Sequence, residues 1–205
     1  EILLSALLRM GEQAPFYIFT AFVFSYGTTA LNVSKDFLLI AVLAASVLSF
    51  FTIPRAGHWS DRIGRKKMYL IGAAIISVFG FAYFRMLDTA APALIFLAIV
   101  ISLIPHDLMY GPQAALIAES FTGRLRYSGA SLGYQLASII AGGPAPLIAA
   151  ALFAHYHSGY AIAVYILACG ILSLVSAAAI TDYTNKDISG EHHLPDESEL
   201  RHAHA

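Results

Sequence analysis

The sequence predicts an all-α membrane protein with six transmembrane helices. Of its 205 residues, 58% are hydrophobic and only 12% are charged, whereas a soluble domain usually carries about 25% charged residues. The apolar residues form continuous runs of roughly 20, the length of a helix that crosses a bilayer. They do not alternate with polar residues as the strands of a membrane barrel do. We therefore expect a lipid bilayer to surround most of this chain.

Six apolar segments follow one another with short connections. They span residues 2–31, 37–55, 68–84, 92–119, 128–153 and 159–181. Three are interrupted by polar or helix-breaking residues: the first by Arg9, Glu12 and Pro15, the fourth by Pro105 and the Gly-Pro pair at 111–112, and the fifth by residues 142–144 and Pro146. Membrane helices tolerate such residues where neighbouring helices satisfy the freed backbone groups. Residues 1–182 are thus expected to form one helical bundle.

The remaining residues, 183–205, predict a polar, disordered cytoplasmic tail, because they are rich in Asp, Glu and His. A solvated tail explains its four histidines better than a metal site does; they are His192, His193, His202 and His204. The single cysteine, Cys169, excludes an internal disulfide and a cysteine-based zinc site. We expect no metal and no cofactor. The chain starts at Glu1 inside an apolar run, so we expect it to be a piece of a longer protein.

The basic residues are divided unequally between the two sides of the membrane. With six spans, one side carries both chain ends and ten of the twelve Lys and Arg residues, and the other carries Lys35 and Arg85. The ten are Arg9, Arg55, Arg62, Arg65, Lys66, Lys67, Arg124, Arg126, Lys186 and Arg201. Because loops rich in Lys and Arg remain in the cytoplasm, both chain ends are predicted to be cytoplasmic.

The most informative motif is the basic segment GHWSDRIGRKK, residues 57–67, between the second and third apolar segments. It contains, in order, Gly57, Asp61, Arg62, Gly64, Arg65 and Lys66. We predict a loop that turns at its two glycines, since glycine allows a close turn at a helix end. Basic residues alone would hold a cytoplasmic turn in place. The acid among them can pair with an arginine or approach a helix N-terminus, where its charge is favoured.

A second charged element, ESFTGRLR at residues 119–126, stands between the fourth and fifth segments. Glu119 and Arg126 are its two ends. Glu119 can pair with Arg62, Arg65 or Lys66, and Asp61 can pair with Arg126. We predict that this charge network locks one conformation and is released in another, as a cytoplasmic gate. The alternative is that both elements only fix the topology.

These motifs resemble those of the major facilitator superfamily. Residues 57–67 are similar to its loop motif G-x-x-x-D-R-x-G-R-K, with His58 and Trp59 where the family often has small or aliphatic residues, and residues 119–126 resemble its E-x6-R element. Residues 9–27 and 109–152 resemble the metabolite:proton symporter family in particular. The resemblance implies an inner-membrane transporter of twelve helices, of which these six are the seventh to twelfth. The partner it implies is a missing N-terminal six-helix half.

Polar and ionisable residues at membrane depth are costly and therefore mark functional positions. The candidates for substrate binding and proton coupling are Arg9, Glu12 and Gln13 in the first segment, His106, Asp107, Tyr110 and Gln113 in the fourth, and Tyr134 and Gln135 in the fifth. The alternatives are interfacial anchoring for Arg9 and Glu12, and a satisfied core histidine with an acid near a broken turn for His106 and Asp107. For the serines of the fifth segment the alternative is interhelical packing.

The function predicted from these features is proton-coupled symport of a small carboxylate-bearing metabolite, an organic acid or a zwitterion, by alternating access. Arg9 offers a fixed positive charge for the carboxylate, and Glu12, His106 or Asp107 exchanges the proton. The alternatives are a proton-independent sugar or drug facilitator and a non-transporting half-size membrane subunit. An enzyme is not predicted, because the chain has no nucleophile motif, no H-E-x-x-H and no acids paired at metal spacing. A nucleic-acid partner is not predicted either.

Overall fold

The computed structural model describes residues 2–121 and 126–184, with side chains throughout except at residues 126 and 127. All regular elements in these ranges are helical, so the all-α prediction is confirmed for them. The α-helices are α1 Ile2–Leu8, α2 Met10–Tyr17, α3 Val23–Thr29, α4 Lys35–Ile63, α5 Arg65–Asp88, α6 Pro92–Glu119, α7 Arg126–Ala137, α8 Ala145–Tyr156 and α9 Gly159–Ala179. Two π-helical segments join them, Ile18–Phe22 between α2 and α3 and Ser138–Gly142 between α7 and α8.

Five stretches of the described chain are long and apolar enough to cross a membrane. They are α4, α5, α6, the combined stretch Ser128–Tyr156, and α9. They correspond to the second to sixth segments predicted from the sequence. The first predicted segment, residues 2–31, is instead divided among α1, α2, a π segment and α3. The count of six spans is therefore not reproduced by helix length alone.

The basic segment 57–67 is helical for most of its length, so the predicted loop is wrong there. Residues up to Ile63 extend α4, which begins at the capping residue Ser34, whose side chain accepts a hydrogen bond from the Phe37 N–H. Gly57 lies inside this helix and makes no turn. The turn occurs at Gly64 alone, where φ is +104°, a backbone conformation that only glycine adopts without strain. One residue therefore separates α4 from α5.

The fourth predicted segment is one continuous helix and is not broken at its prolines. Both Pro105 and Pro112 lie within α6, whose bounds agree with the prediction. A proline removes one backbone donor, and a helix packed among other helices survives that loss. The break predicted in the fifth segment is present: the helix passes through the Ser138–Gly142 π segment and restarts at Ala145 after Pro144.

Small residues bring the helices into close contact. A Cβ atom placed on Gly111 of α6 would lie 2.7 Å from the backbone nitrogen of Gly57 in α4. On the other side of α6, a Cβ atom on Gly72 of α5 would lie 3.0 Å from the carbonyl oxygen of Pro105. Such contacts replace the hydrophobic effect as the cause of helix association in lipid. They hold α6 between α4 and α5.

Candidate functional site

The site begins at the junction of α1 and α2, where the helix tightens at Arg9. The N–H groups of Glu12 and Gln13 both donate to the Arg9 carbonyl, at 3.2 and 2.9 Å. The carbonyl of Leu8 is therefore free of the usual helical bond, and it accepts from the hydroxyls of Tyr69 and Ser173. Hydroxyl groups from α5 and α9 thus stabilise the junction from which the Arg9 and Glu12 side chains extend into the bundle.

Four ionisable side chains meet inside the bundle. Arg9, Glu12, His106 and Asp107 are all at most 5% exposed. Two come from the α1–α2 junction and two from consecutive positions of α6. We call them the ionic cluster. Because a charged group inside a membrane protein is costly unless paired, their mutual contacts decide what the site can do.

Arg9 is held by three hydrogen bonds. Its Nε donates to Gln113 Oε1 at 3.1 Å, one terminal nitrogen donates to the Tyr134 carbonyl at 2.8 Å, and the other donates to Glu12 Oε2 at 3.3 Å. The guanidinium carbon also lies 3.8 Å from the centre of the Tyr134 ring, a cation–π distance. The positive charge of Arg9 is thus already paired in this conformation.

His106 joins the two acids of the ionic cluster. Its Nε2 lies 3.0 Å from Glu12 Oε1, and its Nδ1 lies 3.0 Å from Asp107 Oδ1. Ionised carboxylates only accept hydrogen bonds. Each of the two contacts needs one proton to be a hydrogen bond, so the three groups must together hold two protons. An imidazolium between two carboxylates meets this requirement. Glu12 Oε2 also accepts from Gln113 Nε2 at 3.2 Å.

Thr52 of α4 completes the chain of contacts and was not among the residues predicted for the site. Its hydroxyl lies within hydrogen-bond reach of Asp107 Oδ2 and, at 3.2 Å, of the Leu48 carbonyl one turn earlier. A threonine in an apolar helix usually bonds only its own backbone. No sequence signal distinguishes Thr52 from the other threonines, because its partner Asp107 lies 55 residues away.

A cavity of about 330 Å³ opens beside the ionic cluster. Its lining consists of Arg9, Glu12, Gln13, Phe16, Tyr17, Ile53, His106 and Tyr110. The rings of His106 and Tyr110 are stacked, with an interplanar angle of 17°, and the Phe16 ring also contacts the imidazole, at a centroid distance of 4.9 Å. The cavity thus combines aromatic faces with polar groups, as sites for small organic ligands do.

Most of the candidates proposed for substrate and protons meet at this place. Five of the nine line the cavity; Asp107 and Gln113 lie behind it in the network, and Tyr134 contacts Arg9. Gln135 is the exception, because its side chain is exposed and the cavity lining does not include it. The lining also includes Tyr17 and Ile53, which no sequence pattern indicated.

The predicted gate residues form a second cluster at the junction of α4 and α5. The Arg65 side chain pairs with Asp61, at 2.8 Å, and with Glu119 at the end of α6. Arg62 is exposed, and the side chain of Arg126 lies outside the described residues. The predicted pairing of Asp61 with Arg126 therefore stays a prediction.

Lys66 contacts a different helix from the one predicted. Its ammonium donates to the carbonyls of Ala178 and Ile180, both at 2.7 Å, at the C-terminal end of α9. A cation is favoured there by the helix dipole. Next to it, the Thr184 hydroxyl accepts from the Arg65 backbone N–H at 2.9 Å. The last described residues thus contact one of the predicted gate residues, Arg65, and the sequence did not indicate this contact.

Comparison with known proteins gives one family. The profile described as Major Facilitator Superfamily matches residues 2–199. The shikimate transporter of Escherichia coli (strain K12) is 34% identical over 85% of this chain, and the inner membrane metabolite transport protein YhjE of the same organism is 32% identical over 84%. A glycine betaine/proline/ectoine/pipecolic acid transporter, OusA of Dickeya dadantii (strain 3937), is 24% identical over 89%.

The matches cover only part of each relative. The aligned regions represent 40% of the shikimate transporter, 40% of YhjE and 36% of OusA. The chain therefore spans less than half the length of the curated relatives it matches. No solved structure matches it significantly.

Proposed function

This chain belongs to the Major Facilitator Superfamily, and from that premise we propose that it is one half of a secondary transporter for a small carboxylate-bearing metabolite, driven by symport with protons. It is an integral membrane protein, and its relatives are transporters rather than enzymes. The observation that carries the proposal is the buried ionic cluster of Arg9, Glu12, His106 and Asp107 beside a cavity.

The proposed topology has six spans, with the stretch from α1 to α3 as the first. Its residues 2–29 are helical almost throughout, and together they are long enough to cross the hydrocarbon core. The missing six-helix half would complete the translocation path, and the two halves would transport by alternating access. The missing half would pack against the side of this bundle on which the cavity opens. The excess of basic residues on one side favours cytoplasmic chain ends. The proposed bundle comprises residues 1–182, and residues 183–205 are the proposed tail. The proposed location is the inner membrane of a bacterium.

The substrate class is proposed from the relatives and from the site. The relatives named above are described as transporters of shikimate, of metabolites, and of betaine, proline and similar compounds. The named compounds all carry a carboxylate. The cavity of about 330 Å³ is large enough for a molecule of this size, and Arg9 supplies the guanidinium geometry that suits a carboxylate.

Proton coupling follows from the net charge of the ionic cluster. One arginine and two carboxylates with a neutral histidine sum to one negative charge, and protonation of His106 brings the sum to zero. Binding a carboxylate alone, or a proton alone, changes the buried charge by one unit. Binding both together leaves it unchanged, which in a poorly solvated site is the less costly process. A carboxylate and a proton are therefore expected to bind together.

The same contacts suggest how binding proceeds. Arg9 shares its charge with Glu12 in this conformation. A substrate carboxylate in the cavity can replace Glu12 as the partner of Arg9. Glu12 then loses a cationic partner and becomes the better acceptor for the proton on His106 Nε2. We propose that this exchange of partners couples substrate binding to proton binding.

The gate is proposed at the α4–α5 junction. The Arg65 ion pairs with Asp61 and Glu119 connect the ends of α4, α5 and α6 at the side predicted to be cytoplasmic. Because these groups are partly exposed, their pairing contributes little stability and can be broken at modest cost. Such a contact is suited to a conformational change.

The test is uptake into proteoliposomes that contain the protein expressed from its complete coding sequence. Labelled shikimate, other organic acids, proline and betaine are supplied with and without an inward proton gradient. Accumulation of one carboxylate only with the gradient is the expected result. Equal, gradient-independent equilibration would instead indicate a facilitator. Failure to carry any compound of the panel would contradict the substrate class.

A further inference from the structure

Thr52 of α4 makes a hydrogen-bonding contact with the ionic cluster. Its hydroxyl reaches Asp107 Oδ2, while Asp107 Oδ1 faces the Nδ1 of His106. The two oxygens of one carboxyl group thus have separate partners on two different helices. A carboxyl group held at one oxygen cannot rotate its other oxygen away from its partner without losing a hydrogen bond.

We propose that Thr52 is a positioning residue of the proton site, whose hydroxyl holds the Asp107 carboxyl group in one orientation while a proton moves between Asp107 and His106. In that step the N–H bond at Nδ1 breaks and an O–H bond forms at Oδ1. The imidazolium becomes a neutral imidazole, and the carboxylate becomes a neutral acid. This inference rests on the proposed function, because it concerns the site at which the proton is exchanged.

Threonine suits this role because its contact persists through the transfer. Before the transfer, Oδ2 is a carboxylate oxygen; after it, Oδ2 is the carbonyl oxygen of an acid. Both are hydrogen-bond acceptors, so the Thr52 hydroxyl donates in either state. The hydroxyl also has a second acceptor, the Leu48 carbonyl at 3.2 Å. It is therefore satisfied when the helices move and Asp107 leaves.

The charged groups around Asp107 make its orientation matter. His106 faces it directly, and Glu12 from α2 faces the opposite nitrogen of the same imidazole, with Arg9 behind Glu12. If Asp107 turned away, His106 would keep only the Glu12 contact. The proton would then remain between Glu12 and His106. The position of the proton thus depends on a hydroxyl of α4, the helix that carries Asp61 of the gate.

The test compares three variants of the protein expressed from its complete coding sequence. Thr52→Val removes the hydroxyl at nearly constant shape, and Thr52→Ser keeps it. Thr28→Val is the matched control, because the Thr28 hydroxyl donates to the Phe24 carbonyl in its own helix. Infrared spectra of the purified proteins in liposomes are recorded across pH, and Asp107→Asn identifies the Asp107 carboxyl band.

The infrared arm needs no substrate. In Thr52→Val the Asp107 carbonyl band is expected to move to higher frequency, because the hydrogen bond to Oδ2 is lost. Thr52→Ser and Thr28→Val are expected to keep the original frequency. An unchanged band in Thr52→Val would overturn the inference, and so would an equal shift in Thr28→Val.

The transport arm separates this inference from the proposed function. With labelled shikimate as the first probe, Thr52→Val is expected to lose gradient-driven accumulation by about tenfold, the effect of one hydrogen bond to a charged group. Exchange of internal for external substrate, which needs no net proton movement, should persist. Accumulation equal to that of the original protein would overturn the role of Thr52. If the original protein transports none of the compounds, the proposed function fails. The infrared spectra would still show whether the Thr52 hydroxyl binds Asp107.

Discussion

Replacing Gly111 by alanine is expected to destabilise the contact between α4 and α6, whereas the same change at Gly57 is not. The two glycines face each other, but the space around them is unequal. A Cβ atom on Gly111 would lie 2.7 Å from the Gly57 nitrogen and 2.9 Å from the Ile53 carbonyl oxygen. A Cβ atom on Gly57 would find its nearest neighbour, the Gly111 carbonyl oxygen, at 3.6 Å.

The magnitude follows from these distances. Carbon contacts are optimal at about 3.5–4.0 Å, and the atoms around Gly111 belong mostly to the backbone, so the helices must move apart. Overpacking of this kind costs about 1–3 kcal/mol. Alanine is more favourable than glycine in a helix by about 0.5–1 kcal/mol. Because both variants have this gain, the difference between them isolates the overpacking cost of about 1–3 kcal/mol.

The assay is reversible unfolding of the purified protein in micelles, followed by circular dichroism. Gly57→Ala is expected to match or slightly exceed the original protein in free energy of unfolding, and Gly111→Ala to fall below it. Equal free energies of unfolding for the two variants would refute the reasoning. A larger loss for Gly57→Ala, at the glycine that belongs to the sequence motif, would refute it more strongly.

Three further outcomes are expected. Arg9→Gln should abolish uptake without loss of expression, because the guanidinium is the permanent positive charge of the ionic cluster, whereas His106 is charged only when protonated; normal uptake would contradict the assignment. Arg65→Gln should change the free energy of unfolding by less than about 1 kcal/mol while increasing hydrogen exchange around Glu119; unchanged exchange would speak against a gate. Lys66→Met should accelerate exchange in the last turn of α9, and the exposed neighbour Lys67, changed to Met, provides the control.

Much of the fold could be predicted from the sequence because hydrophobic length is a local property. The bounds of α6 agree with the predicted segment 92–119, and α9 differs only at its end. The error at residues 57–63 has a physical reason. Charge and glycine content suggested a loop, but only Gly64 adopts a conformation that ends a helix. The residues before Gly64 are compatible with a helix. Their polar side chains indicate that this end of the helix is exposed to solvent, not that it is a loop.

The sequence indicated most of the residues that form the candidate site, but not which of them contact each other. Ionisable residues stand out in apolar segments, so His106 and Asp107 could be found without a structure. Which acid faces which nitrogen depends on how α2 and α6 are rotated, and a pattern of residues does not contain this information. Thr52 was missed for the same reason. Arg9 was assigned to the carboxylate of the substrate, and in this conformation Glu12 and Gln113 already bind its guanidinium group.

The two π-helical segments change how helical faces must be read along the chain. A π turn arises when one residue is inserted into an α-helix, so every position after it is displaced by one step of the helical wheel. Residues after Phe22 and after Gly142 therefore do not continue the faces that precede them. Alignments that require equal helix lengths would place a gap at these points. Removing one residue from Ile18–Phe22 should restore a regular helix and leave both flanking faces intact.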